Sequence, residues 1–132
     1  MSARLPGWSR VLALGAGALD TTTGLGLLVL PVWTLRMMGV APPGAEALSF
    51  VRFVGVFVGA VGMCYLVAWW RGGDGPLRAV LDFTRLFRLG AGVFTGTMVA
   101  TAGWPPAWLA VTVTDLGLVA VQTALLARYP DE

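Results

Sequence analysis

Few residues of this chain could do chemistry, and most of them lie in apolar surroundings. Asp20 sits inside Val11–Trp33, VLALGAGALDTTTGLGLLVLPVW, a run of apolar or small residues around one acid. A run of that length crosses a bilayer as a helix. A carboxylate at that depth costs about 2.5–3.5 kcal/mol on insertion scales. Asp115 is placed similarly in the last apolar segment, and Arg52, Arg85 and Arg88 lie in the two between. Such groups can pair with one another, hold an anionic headgroup, a carboxylate or a quinone oxygen, or pass protons. The chain has no histidine and one cysteine, Cys64. Imidazole ligation of haem, zinc, copper or iron is excluded, as are an intrachain disulfide and a C-x-x-C redox pair. No catalytic activity of its own and no metal are expected.

The composition names the medium. The chain is 57% hydrophobic and 12% charged over 132 residues, against about 25% charged in soluble domains. All nine basic residues are arginine, and a net charge of +2 is too small to argue for nucleic acid. Four apolar segments, about 8–33, 50–70, 77–104 and 107–129, each have the length of a span. The expected fold is therefore all-α: a four-transmembrane-helix bundle, antiparallel and up-down-up-down, as a single integral membrane domain over residues 1–132. Arg4 and Arg10 before an apolar run have the shape of a signal peptide, but the run continues to Trp33, so a retained segment is expected.

The tryptophans fit these borders. Trp8, Trp33, Trp69, Trp70, Trp104 and Trp108 all fall at segment ends, as an interfacial aromatic belt requires. Ala41-Pro42-Pro43-Gly44, Gly72-Gly73-Asp74-Gly75-Pro76 and Pro105-Pro106 punctuate the connections, and Pro31 marks a kink or an exit. With four crossings, the arginine-rich side holds Arg4, Arg10, Arg71, Arg78 and Arg128. The positive-inside rule then puts both termini in the cytoplasm of a bacterial inner membrane. Leu77–Arg88 is amphipathic, with Arg78 and Asp82 an i,i+4 pair.

Helical spacing gives each segment one small or polar face. The first carries Gly17, Asp20, Thr23 and Gly24, and the second Arg52, Gly55, Gly59 and Met63. The third carries Arg85, Arg88, Gly92, Thr95 and Gly96, and the fourth Thr112, Asp115, Val119 and Gln122. A rise of about 1.5 Å per residue puts Asp20 and Asp115 at similar depth, with Arg88 within reach. The candidate intramembrane site is therefore Asp20, Thr23, Arg52, Arg85, Arg88, Asp115 and Gln122. It reads as a structural ion network, as a pocket with surplus positive charge, or as a set of contacts to a partner subunit. Gly55/Gly59 and Gly92/Gly96 are G-x-x-x-G steps that permit close packing. Phe50-Val51-Arg52 and Phe83-Thr84-Arg85 form a weak internal echo.

Four features together resemble the DoxX-like group of small four-helix membrane proteins. They are GLGLLVLP closing the first segment, RFVGVFVGAVG opening the second, Arg85 and Arg88 in the third, and Asp115 early in the fourth. Some members of that group resemble the membrane subunit of a thiosulfate:quinone oxidoreductase. The resemblance implies a subunit role or a quinone or lipid ligand, and assigns no catalytic residue. The leading expectation is a non-catalytic accessory or structural subunit of a larger membrane complex. Its partners would be the lipid bilayer and other membrane subunits or further copies of itself. The acid in the first segment also resembles that of the small multidrug-resistance exporters, and the alternative is a small transporter or a quinone- or lipid-binding membrane protein with a central Asp/Arg site.

Overall fold

A computed structural model describes residues 4–130. All regular structure among them is helical. The helices are α1 (Trp8–Val29), α2 (Pro31–Met37), α3 (Ala45–Arg71), α4 (Asp74–Thr101) and α5 (Leu109–Arg128), with a 3₁₀ turn at Pro106–Trp108 before α5. The chain divides into two compact units. One is Gly7–Gly72; the other runs from Gly73 onward together with the N-terminal residues up to Pro6.

The expected four-span bundle is corrected. Three helical stretches are long and apolar enough to cross a membrane: Trp8–Val29, Ala45–Arg71 and Pro106–Arg128. Among the described residues α4 does not qualify, because Asp74, Arg78, Asp82, Arg85 and Arg88 crowd the stretch 74–88. The first segment is not one helix to Trp33 either. Pro31 lacks an N–H and forces the residue before it out of helical geometry, so Leu30 takes φ −126° and ψ 56°. α1 ends there and α2 begins with Pro31 in its first turn. Placing both termini on one side depended on an even number of crossings, which three candidate spans do not supply.

α2 ends in a Schellman motif. The Gly39 N–H donates to the Arg36 carbonyl (3.0 Å) and the Val40 N–H to that of Leu35 (2.9 Å). Gly39 has φ 77°, which costs a glycine little. Val40 and Leu35, which flank the motif, are both buried.

In the unit Gly7–Gly72, α1 and α3 run antiparallel at backbone contact. A Cβ on Gly24 would lie 2.3 Å from the Gly59 nitrogen and 2.4 Å from its Cα. One on Gly62 would lie 2.4 Å from the Thr21 nitrogen. One on Gly17 would meet Leu66 Cδ2 and Tyr65 Cβ at 2.9 Å. Gly59 is different, since its Cβ would find nothing closer than Gly24 Cα at 3.7 Å. The closest approach therefore uses Gly17 and Gly24 against Gly55 and Gly62, and only one member of the expected Gly55/Gly59 step needs to be glycine.

In the other unit, α4 and α5 are antiparallel. A Cβ on Gly92 would lie 2.8 Å from Leu116 Cγ, and one on Gly96 would lie 3.2 Å from Thr112 Cγ2. α4 reverses the polarity of a soluble helix. It buries Arg78, Thr84, Arg88 and Thr95 while Phe83, Leu86, Phe87, Val93 and Phe94 are exposed. At the α4/α5 turn, Trp104 packs on Phe94 at 5.6 Å between ring centroids and on Trp108 at 5.2 Å. Trp8 begins α1, Trp69 and Trp70 lie in the last turn of α3, and Trp33 lies within α2.

Candidate polar site in the α4/α5 pair

The two units hold different parts of the expected constellation. Asp20, Thr23 and Arg52 belong to Gly7–Gly72, and Arg85, Arg88, Asp115 and Gln122 to the unit beginning at Gly73. Within the second unit, Arg88 Nη1 donates to Asp115 Oδ1 at 2.7 Å. Their side chains are 4% and 14% exposed. Arg88 can reach because α4 and α5 are antiparallel and Gly92, one turn further along α4, brings the backbones close. A charge-assisted bond of this length is among the stronger side-chain contacts, and burial limits its screening.

Smaller rungs flank it. The Thr95 and Thr112 hydroxyls are 2.8 Å apart. Thr95 also donates to its own-helix carbonyl at Ala91, 2.9 Å away. Beyond Arg88 on the other side, Gln122 Nε2 donates to Thr84 Oγ1 at 3.4 Å, with both residues buried. Thr84, Arg88 and Thr95 recur at helical spacing on one face of α4, and that periodicity is the signal by which Thr84 could have been found.

Arg85 does not join Arg88. It pairs with Asp82 on its own helix and donates to Thr123 Oγ1 at 3.4 Å. Asp82 thus has Arg85 as a partner on its own helix. Arg78 donates to the Tyr129 carbonyl. Asp20 and Thr23 are both half-buried on α1.

Arg52 has a role the sequence did not suggest. It donates to the carbonyl of Leu28, in the last turn of α1. Pro31 has no N–H to offer that turn, and Leu30, whose N–H serves the Gly26 carbonyl, leaves helical geometry just after it. Arg10 does the reciprocal service for α3, donating to the Trp69 carbonyl at 3.2 Å. Three arginines near helix beginnings thus cap the C-terminal carbonyls of an antiparallel neighbour: Arg10 on α3, Arg52 on α1 and Arg78 on α5. A cation there complements the negative end of the helix dipole, and the multi-donor guanidinium suits carbonyl capping. Replacing Arg52 with glutamine is expected to cost about 0.3–1 kcal/mol. Hydrogen exchange should speed up in the last turn of α1 and in α2 while the middle of α1 is unchanged. Uniform acceleration along α1 would show that Arg52 supports more than the cap.

No metal-binding group of three or more His, Cys, Asp or Glu occurs among the described residues. The arrangement can do two things chemically: hold α4 and α5 in register, and neutralise buried charge. No protein-family model, no curated protein and no solved structure matches this chain.

Proposed function

We propose that this protein is a non-catalytic integral membrane subunit or accessory protein that works inside a larger membrane assembly. The observation that carries this reading is the Arg88–Asp115 pair, 2.7 Å long, with side chains 4% and 14% exposed. The two side chains bond to each other, and the hydroxyl and amide rungs beside them bond across the same two helices. Polar groups used this way fix which helix lies beside which, without binding a substrate.

Three candidate spans among the described residues support a bilayer-resident scaffold. The loose DoxX-like resemblance points the same way and favours a bacterial inner membrane, with quinone or lipid as the ligand of the whole assembly. The test is purification of the tagged chain from its native membrane in a mild detergent. Other membrane chains are expected to accompany it in fixed stoichiometry. A stable solitary monomer that exports cations in reconstituted vesicles would overturn the subunit reading.

A further inference from the structure

The two units obey one plan. Arg10, near the start of α1, caps the Trp69 carbonyl at the end of α3. Arg78, near the start of α4, caps the Tyr129 carbonyl at the end of α5. Any antiparallel pair can be laid over another and slid along it, so matched contacts alone mean little. Here one offset for α1 on α4, and one for α3 on α5, bring several features into line together.

With Arg10 laid on Arg78, Gly24 falls on Gly92, and each is the glycine where its helix crosses its neighbour. Five of the six buried residues of α1, Ser9, Ala13, Ala16, Gly24 and Leu27, fall on buried Leu77, Leu81, Thr84, Gly92 and Thr95 of α4, while buried Gly17 falls on half-buried Arg85, and buried Arg78, Val80 and Arg88 have no buried counterpart on α1. With Trp69 laid on Tyr129, the buried residues Gly62 and Tyr65 of α3 fall on the buried residues Gln122 and Leu125 of α5. In the same alignment Gly55, which faces Gly24, falls on Asp115, which faces Gly92. The contact of Arg52 with Leu28 falls on that of Thr112 with Gly96.

We infer that the chain is a tandem repeat of one antiparallel helix pair, α1/α3 and α4/α5, and that residues 30–44 are the first pair's enlarged form of the short connection 98–104. α2 then has no counterpart in the second pair, and its exposed Trp33, Arg36 and Met37 are peculiar to the first. The echo between Phe50-Val51-Arg52 and Phe83-Thr84-Arg85 joins helices that do not correspond, so it is not this repeat. The inference also puts Asp20 at the position of Arg88. The same place in the two pairs carries an acid in one and a base in the other. This conclusion is independent of the subunit reading.

The test exchanges the connections in the full chain with Cys64→Ser. In one variant the sequence of 98–104 replaces 30–44; in the other, 30–44 replaces 98–104. Cysteines at the exposed positions Val11 and Trp70 report the α1/α3 pairing in the first, and cysteines at Ala79 and Pro130 report α4/α5 in the second. Equivalent pairs predict that at least one grafted chain keeps its helix content, keeps its unfolding midpoint within a few degrees, and cross-links with a short bis-maleimide as fully as the ungrafted chain. If both grafted chains fail to accumulate or lose the cross-link, the two pairs are not copies of one unit.

Discussion

Asp115→Leu is expected to destabilise the protein by up to about 3–5 kcal/mol, because it takes the Asp115 carboxylate away from a deeply buried guanidinium. Arg88 is 4% exposed and cannot shed its charge, whereas a carboxylate can neutralise itself by taking up a proton. Arg88→Met should therefore cost less than Asp115→Leu. Replacing both, as Arg88→Met with Asp115→Leu, should recover most of the loss, since apolar side chains of similar volume remove the desolvation cost together with the attraction. Thermal unfolding in detergent of the wild type, both single variants and the double variant reads this directly. A double variant as unstable as Asp115→Leu would mean that the pair does more than satisfy itself.

The second large effect lies in the α1/α3 pair. Gly24→Ala inserts a carbon 2.3 Å from the Gly59 nitrogen and 2.7 Å from the Gly55 carbonyl oxygen. Backbone atoms cannot rotate away as a side chain can, so the helices must part. Overpacking of this kind costs about 1–3 kcal/mol, outweighing what alanine contributes to helix propensity. Gly59→Ala is the control. Its new carbon meets Gly24 Cα at an ordinary 3.7 Å. It should be neutral or mildly stabilising, by up to about 1 kcal/mol. Equal losses from the two variants, measured by the same unfolding assay, would contradict the close approach through Gly24.

Much of the helical content was legible because helix ends are written in local chemistry. Ala41-Pro42-Pro43-Gly44 precedes α3, Gly72 and Gly73 take positive φ between α3 and α4, and Pro105-Pro106 precedes α5. The number of spans was misread because apolar length was judged by segment. α4 contains apolar Phe83, Leu86, Phe87, Val93 and Phe94, but its first half also carries the charges that lower its mean hydropathy. Pro31 gave warning of an interruption, yet only the fold shows a separate helix closed by Gly39.

The juxtaposition of Arg88 and Asp115 could be anticipated, since opposite charges at similar depth on adjacent segments have few better partners. The capping arginines could not. Whether Arg52 meets an acid or a carbonyl depends on where α1 stops and which turn of it α3 passes. Neither is a property of the residues around Arg52. Arg85 was drawn into the candidate site by helical spacing, yet Asp82, one turn away on its own helix, is closer than anything across the pair.

The claim on which the rest depends is that buried charge in the α4/α5 pair serves architecture. Its most direct test compares the chains that co-purify with the wild type and with the Arg88→Met, Asp115→Leu double variant from the native membrane. The same companions in the same ratio are predicted once stability has been restored. A double variant that folds as well as the wild type yet loses those companions, or loses a lipid or quinone the wild type retains, would contradict the claim and make the pair a binding site.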